Sequence, residues 1–232
     1  MEKIFIIHGW TYTTDRWQNF IARVKEGGYE SVLLTVPGLT EATDKVWSLD
    51  DYVEWLKQKL ENEDQSILVG HSNGGRIALA FAAKYPGKLK QLILIDSAGI
   101  YHNELPLRFK RMVFGALAKI GKKITASENL RKVLYKFAGE SDYKNASPQM
   151  RQTMVNLISV DLTPKLPAIN TPTLIIWGRE DKATPLADGE LMHKLIATSQ
   201  LNIINGARHS PHFTHTKEVC DAIIQTIKKY GF

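Results

Sequence analysis

The fold is decided by the stretch Ile67-Leu68-Val69-Gly70-His71-Ser72-Asn73-Gly74-Gly75. A short apolar run, typical of a buried strand, leads directly into Gly-x-Ser-x-Gly, and helical spacing at Ile77 and Phe81 follows. A turn this tight holds the serine at strained backbone angles and pushes its hydroxyl out over the carboxyl end of the sheet, so glycine is required on either side. The stretch therefore predicts a strand–turn–helix unit with a nucleophile at Ser72. An ordinary glycine-rich turn with an idle serine is the alternative.

Short apolar runs recur along the rest of the chain. They are mostly continuous rather than alternating, as in strands that are covered on both faces. Helical patterns separate them, and Ser48 with Asp51 forms a capping box at the start of one helix. Strand and helix in alternation predict an α/β fold with a mainly parallel sheet of about six strands flanked by helices. The predicted strands are residues 4–7, 32–36, 67–69, 92–95, 174–177 and 201–204.

The alternation of strands and helices is interrupted once, from residue 99 to residue 167, where only helical patterns occur. A chain of 232 residues with 44% hydrophobic residues can bury one substantial core and is short for two independent domains. The sequence therefore predicts a core domain of residues 1–98 and 168–232, with a helical cap insertion at residues 99–167.

The predicted cap also carries the excess positive charge. Residues 100–145 contain ten Lys or Arg and four acidic residues, which leaves twenty of each sign elsewhere in the chain. An apolar stripe at helical spacing includes the candidate substrate-binding residues Leu105, Phe109 and Met112. One interpretation is a cap helix with a solvated basic face. The other is an acyl pocket whose basic face recruits an anionic carrier or a membrane surface.

Composition limits the location and the partners. No apolar run approaches the roughly 18 residues that a membrane-spanning helix needs, so we expect a soluble, unexported, cytoplasmic protein. Cys220 is the only cysteine, which excludes an intrachain disulfide and a zinc site built from cysteines. The basic residues are not interleaved with aromatic residues for base stacking, so nucleic acid is not an expected partner. We expect no cofactor and no metal, and either a monomer or a homodimer.

A serine nucleophile needs a base, and the base needs a carboxylate that orients it. Asp181 follows the fifth predicted strand and His209 the sixth, so both are expected at the carboxyl edge of the sheet. The predicted triad is Ser72, His209 and Asp181. Asp96, after the fourth strand, is a competing acid that could instead brace the sheet. The other candidate histidines, which follow no strand closely, are His193, His212 and His215.

Attack on a carbonyl also requires hydrogen-bond donors for the developing oxyanion. The backbone N–H of Asn73, directly after the nucleophile, is one expected donor. The second is the N–H of Trp10, in the loop after the first strand, because Gly9 lets the backbone approach closely. His8 and His71 are expected to shape these loops by hydrogen bonding rather than to transfer protons.

Five segments together resemble the α/β-hydrolase superfamily. The resemblance runs from residue 4 to about residue 230 and leaves only the predicted cap without a recognisable segment. It implies a sheet that lacks the family's first strands, with six parallel strands remaining. The chain departs from the family pattern after the second strand, where the usual second small-residue turn is missing. The segments are His8-Gly9-Trp10, Pro37-Gly38, Gly70-His71-Ser72-Asn73-Gly74-Gly75, Gly178-Arg179-Glu180-Asp181 and Gly206-Ala207-Arg208-His209.

The resemblance implies a serine hydrolase, a carboxylesterase that cleaves carboxylic ester or thioester bonds of a small-molecule acyl substrate through an acyl-enzyme. Serine at position 72 argues against epoxide hydrolases and haloalkane dehalogenases, which resemble this fold but use aspartate there. Two alternatives stay open. Carbon–carbon bond hydrolases or lyases use the same triad, and some receptors that resemble the family bind a ligand without turnover.

Overall fold

The computed structural model describes residues 2–101 and 146–230. Within these residues, one sheet contains β1 (Lys3–Ile7), β2 (Glu30–Leu33), β3 (Ser66–His71), β4 (Leu89–Ile95), β5 (Thr173–Gly178) and β6 (Ser199–Ile204). The strands lie in the order β2-β1-β3-β4-β5-β6, and every neighbouring pair is parallel. The prediction of a mainly parallel sheet of about six strands is confirmed.

Helices cover both faces of the sheet. The described α-helices are α1 (Gln18–Glu26), α2 (Leu49–Lys59), α3 (Asn73–Lys84), α4 (Pro148–Ile158), α5 (Leu186–Leu195), α6 (Pro211–Thr214) and α7 (Thr216–Tyr230). Two short 3-10 helices lie at Asp15–Trp17 and Thr163–Ala168. The predicted capping box is present at the start of α2, where Ser48 and Asp51 exchange hydrogen bonds of 2.8 and 3.1 Å.

Burial on both faces explains why the strand sequences are continuously apolar. On β1, Phe5 and Ile7 belong to the core cluster shared with α2, α3, α4 and α5, whereas Ile4 and Ile6 belong to the cluster shared with α1 and α7. All four side chains are at most 5% exposed. Because the strands are parallel, their carboxyl ends lie along the same edge of the sheet, with one core cluster packed on each face.

The second strand differs from its prediction. We expected residues 32–36, but β2 spans Glu30–Leu33. β2 is an edge strand, and beyond it the N–H of Val36 donates to the Thr40 hydroxyl at 2.8 Å instead of to a neighbouring strand. Val36 is fully buried, so its apolar character reflects packing in the loop and not strand pairing.

The described end of the predicted cap packs on the sheet domain. Met150 and Leu157 of α4, with Leu162 and Leu166 after it, are at most 3% exposed within the core cluster of α2 and α3. The candidate substrate-binding residues Leu105, Phe109 and Met112 and the basic cluster lie outside the described residues, and the boundary at 99–167 stays a prediction. No helix among the described residues is long and apolar enough to cross a membrane.

Candidate active site

The serine turn has the strained geometry that the sequence predicts. Ser72 lies between β3 and α3 with φ 52° and ψ −116°, a backbone conformation that side chains rarely adopt. A Cβ at Gly70 would lie 2.7 Å from the Cα of Gly75, and a Cβ at Gly74 would collide with the Ile7 carbonyl. The glycines are therefore required by the close approach of neighbouring backbone.

Backbone hydrogen bonds to β4 hold this turn in place. The N–H of Ser72 donates to the Ile95 carbonyl at 3.1 Å, and the Ser72 carbonyl accepts from the N–H of Ala98 at 2.9 Å. Conformations of this kind cost about 1–3 kcal/mol and persist only where the surroundings enforce them. Ser72 is 8% exposed, and its hydroxyl faces the loop that follows β6.

Ser72, His209 and Asp181 form a hydrogen-bonded chain. His209 Nε2 lies 2.9 Å from the Ser72 hydroxyl oxygen, and His209 Nδ1 lies 2.8 Å from an Asp181 carboxylate oxygen. The Asp181 side chain is fully buried, whereas the His209 side chain is 28% exposed. This arrangement can pass a proton from the hydroxyl to Nε2 while Asp181 keeps the hydrogen on Nδ1.

The Asp181 carboxylate is held by four hydrogen bonds. Besides His209, it accepts from the N–H of Ala183 at 2.7 Å, the N–H of Thr184 at 3.1 Å and the Thr184 hydroxyl at 2.6 Å. Burial acts to raise the pKa of Asp181, but the bonds from His209, Thr184 and Ala183 outweigh it and lower the pKa below its usual value. Asp181 is therefore ionised at neutral pH.

Sequence reasoning missed Thr184. Its hydroxyl lies 3.3 Å from His209 Nδ1 as well as within hydrogen-bond distance of Asp181, so it fixes both partners. A hydroxyl residue three positions after an aspartate often hydrogen-bonds the aspartate side chain within a turn. The spacing of Asp181 and Thr184 was therefore the available indication in the sequence.

Asp96 lies at the end of β4 in a different environment. It has φ 42° and is fully buried, and its carboxyl accepts one hydrogen bond, from the N–H of Gly178 at 2.8 Å. Its second oxygen has no hydrogen-bond partner among the described residues. Burial, followed by the charge of Asp181, raises the pKa of Asp96 well above its usual value. The hydrogen bond of 2.8 Å to His209 belongs to Asp181, whose carboxyl also ionises more readily than that of Asp96, so the geometry favours Asp181 as the acid that orients His209.

The predicted oxyanion donors lie beside Ser72. Trp10 and Asn73 line a small cavity with it, and a Cβ at Gly9 would lie only 3.1 Å from the Ser72 Cβ. His8 shapes this loop, since its ring nitrogens lie 2.8 Å from the Gly9 carbonyl and 2.9 Å from the Thr40 hydroxyl. Burial lowers the pKa of His8.

The opposite wall of the cavity comes from α4. The apolar side chains of Met154, Leu157 and Ile158 line it together with Ala98. Arg76 of α3, also part of the lining, donates to the Leu157 carbonyl at 2.7 Å and to the Val160 carbonyl at 2.9 Å. A cation at a helix C-terminus is stabilising, so Arg76 ties α4 to α3, the helix that begins directly after Ser72.

Arg76 was not predicted from the sequence. The indication available in the sequence was one charged residue directly before the apolar helical run of residues 77–83.

A second anchor for α4 is the backbone of Trp47. Its N–H donates to the Thr153 hydroxyl at 2.9 Å, and its carbonyl accepts from the Asn156 amide at 3.2 Å. The position of α4 over Ser72 is therefore fixed from two sides.

The competing histidines lie away from the Ser72 hydroxyl. His193 bonds Ser199, and His215 bonds Thr214. His212 is fully buried, and neither of its ring nitrogens has a hydrogen-bond partner among the described residues. Burial and the neighbouring histidines lower its pKa well below the usual value.

His71, Asp96 and His209 are also a group whose donor atoms all lie within 4.8 Å of one another. Metal binding would take ring nitrogens that already bond the Ser72 hydroxyl, the Asp181 carboxylate and the His209 carbonyl. The group is better explained as the surroundings of the hydrogen-bonded chain.

Comparisons with known proteins identify the family and the fold. A family model described as the alpha/beta hydrolase fold matches residues 3–216. A pimeloyl-[acyl-carrier protein] methyl ester esterase of Shewanella woodyi is 24% identical over 99% of this chain and 95% of its own length. A 2-hydroxy-6-oxo-6-phenylhexa-2,4-dienoate hydrolase of Comamonas testosteroni is 25% identical over 90% of this chain and 81% of its own. The solved structure of MenH from S. aureus superposes with a TM-score of 0.79 at 22% identity, covering 100% of this chain and 95% of that one.

Proposed function

The chain belongs to the α/β hydrolase fold family, and from this premise we propose that Ser72, His209 and Asp181 are the catalytic triad that cleaves its ester substrate. The protein is an ester-cleaving hydrolase, as its family and a relative that is a methyl ester esterase indicate. The observation that supports the triad is the continuous hydrogen-bonded chain of 2.9 and 2.8 Å that ends on an ionised, four-bonded carboxylate.

In the proposed reaction, the Ser72 hydroxyl oxygen attacks the carbonyl carbon while His209 Nε2 takes its proton. The charge on His209 is then balanced by Asp181, and the oxyanion is held by the N–H groups of Asn73 and Trp10. Collapse of the intermediate breaks the bond to the leaving alcohol or thiol, which receives the proton from His209. Water, activated by the same histidine, then attacks the acyl-enzyme and frees Ser72.

The cavity supports an ester whose group next to the carbonyl is apolar. Met154, Leu157 and Ile158 face the serine, and the Arg76 guanidinium on that wall is already bonded to two carbonyls of α4. Leu105, Phe109 and Met112 are proposed to extend this apolar surface.

Substitution of the nucleophile tests the proposal. Ser72→Ala should reduce turnover of p-nitrophenyl butyrate by at least about 10³-fold because the covalent route is lost. Ser66→Ala is the matched control, since Ser66 is a buried serine at the start of the same strand, and it should keep the wild-type rate. Comparable turnover by Ser72→Ala would refute the assignment.

The Comamonas testosteroni relative supports a second candidate, a carbon–carbon bond hydrolase that uses the same residues. Steady-state turnover of an ester and of a 2-hydroxy-6-oxo-dienoate by the same preparation separates the two. We expect the ester to have the higher kcat/KM. Absence of turnover on both, with tight ligand binding, would instead indicate a receptor.

We propose further that the ester is presented by an anionic carrier. The Shewanella woodyi relative acts on an ester of an acyl carrier protein, and residues 100–145 hold ten basic against four acidic residues. Raising the salt from about 0.1 M to about 1 M shortens the Debye length from about 10 to about 3 Å, so it should raise KM for a carrier-bound ester and leave p-nitrophenyl butyrate unchanged.

Charge reversal tests whether the basic residues of the predicted cap cause this salt dependence of KM. Arg108→Glu, Lys110→Glu and Arg111→Glu together should raise KM for the carrier-bound ester alone. The control reverses three exposed lysines elsewhere, Lys25, Lys88 and Lys165. Equal effects of the two triple variants, or effects on both substrates, would favour a basic face that is merely solvated. Binding of anionic vesicles in place of the carrier would indicate a membrane surface.

A further inference from the structure

His71 makes an unusual contact for a residue next to a nucleophile. Its ring is buried directly before Ser72, and its Nε2 lies 2.8 Å from the backbone carbonyl oxygen of His209. A carbonyl oxygen can only accept, so Nε2 carries the hydrogen and Nδ1 does not in the neutral ring. One side chain thus joins the nucleophile turn to the backbone of the proposed base.

The His71 ring is neutral in the pH range where esters are hydrolysed. Burial, and then the charge of His209, lower its pKa to about 3. The titratable groups around it come from several elements, namely His8, Asp96, Asp181, His209 and His212. A proton carrier would need a pKa near the working pH, so His71 is unsuited to that role.

The same ring packs against the other parts of the site. Its centroid lies 5.2 Å from that of His209 and 4.3 Å from that of His212. A Cβ at Gly9, beside the proposed oxyanion donor of Trp10, would lie 3.0 Å from His71 Nδ1. Displacement of the His71 ring would therefore disturb the base and the oxyanion loop together.

We propose that His71 is a positioning residue that sets the backbone of His209 relative to Ser72 through its hydrogen bond to the His209 carbonyl. The inference rests on the proposed triad. The loop that carries His209 follows β6, and the His71 bond ties that loop to the turn at the end of β3. Because a displacement of about 1 Å can cost about 10² in rate, loss of one such tie is expected to affect turnover more than substrate binding.

Two substitutions separate hydrogen bonding from packing. His71→Phe keeps a ring of similar shape but no donor, whereas His71→Gln keeps an N–H that can reach the His209 carbonyl. We expect His71→Phe to lower kcat by about 10- to 100-fold with KM within about twofold of wild type, and His71→Gln to recover most of the loss. The acid limb of the pH–rate profile should keep its midpoint in both variants, because the ring that is removed stays neutral across that pH range.

Several outcomes would overturn the inference. Wild-type kcat in His71→Phe would show that the hydrogen bond is dispensable. Equal losses in the Phe and Gln variants would indicate packing alone, and a shifted acid limb would indicate proton transfer. Failure of the triad itself is recognised separately, because Ser72→Ala would then keep its activity whatever the His71 variants do.

A measurement on the unmodified protein keeps the inference testable if the variants fold poorly. Two-dimensional ¹⁵N NMR of the histidine rings distinguishes tautomers and charge states. We expect the His71 ring, assigned through its own backbone signals, to stay neutral with hydrogen on Nε2 across the pH range of activity. A His71 ring that titrates in this range, or that carries its hydrogen on Nδ1, would contradict the proposal.

Discussion

Two aspartates follow the carboxyl ends of β4 and β5, and their pKa values are shifted in opposite directions. The strands are parallel neighbours, with Leu94 paired to Ile175 and Ile95 to Ile176. Asp96 and Asp181 are both buried, at 0% and 6% exposure. Yet the pKa of Asp96 is raised well above its usual value, and the pKa of Asp181 is lowered.

The difference lies in the donors that each carboxyl receives. Asp181 accepts four hydrogen bonds, including the one from His209, whereas Asp96 accepts one, from the N–H of Gly178. Burial alone disfavours a charged carboxylate, and hydrogen bonds to the charged form reverse that preference. His209 follows β6, which neighbours β5 and not β4, and it forms its hydrogen bond of 2.8 Å with the aspartate that follows β5.

The largest effect that tests this comparison is expected from Asp181→Asn. An amide at this position can donate to His209 Nδ1 and favour the wrong tautomer, so kcat for p-nitrophenyl butyrate should fall by about 10⁴-fold. Circular dichroism should show an unchanged fold. A loss smaller than about tenfold would mean that another group orients the histidine.

An intermediate effect, on the stability of the protein, is expected from His212→Phe. This substitution tests how burial without hydrogen bonds changes the pKa of a histidine. His212 is buried without a hydrogen-bond partner among the described residues, so a phenyl ring loses no bond there. Its folded-state pKa lies well below the 6.5 of the unfolded chain. The unfolded chain therefore binds the proton first, and wild-type stability is lost as the pH falls below about 6.5.

Urea unfolding across this pH range measures that loss. The stability advantage of His212→Phe over wild type should grow by up to about 1.4 kcal/mol for each pH unit below about 6.5. The contribution of Asp96, whose raised pKa acts in the opposite direction, cancels in the difference between the two proteins. A pH-independent difference would show that His212 is not held neutral by burial.

The smallest effect on activity is expected from Asp96→Asn. An amide oxygen can still accept from the N–H of Gly178, and the raised pKa of Asp96 shows that its surroundings disfavour the charged carboxylate that the substitution removes. We expect kcat within about threefold of wild type and a stability change of about 1 kcal/mol in either direction. If Asp96→Asn were more damaging to turnover than Asp181→Asn, the proposed acid would have to move to Asp96.

The sheet and the elbow could be predicted because both are local in sequence. Gly70, Ser72 and Gly74 impose their geometry within five residues, and continuous apolar runs mark buried strands wherever both faces are covered. The predicted bounds of the second strand were wrong because Val36 is apolar owing to its packing in the loop. An apolar run alone does not distinguish such packing from strand pairing.

The missed residues depend on tertiary contacts. The Thr184 hydroxyl lies within hydrogen-bond distance of the Asp96 carbonyl and of the Asp181 carboxylate, which follow two different strands. Arg76 donates hydrogen bonds to carbonyls more than eighty residues away in the chain. Local spacing links Thr184 to Asp181 but not to Asp96, and it links Arg76 to neither of its partners. His71 was expected to shape its own loop, but its observed contact is with the loop after β6.

The most direct test of the account is covalent labelling with a fluorophosphonate, followed by mass spectrometry of the peptide that contains residues 70–76. Only a serine activated by a neighbouring base reacts rapidly with this probe. We predict one adduct per chain, on Ser72, formed at the wild-type rate in Asp96→Asn, much more slowly in Asp181→Asn and not at all in Ser72→Ala. An unlabelled wild-type protein, or an adduct that persists in Ser72→Ala, would contradict the account.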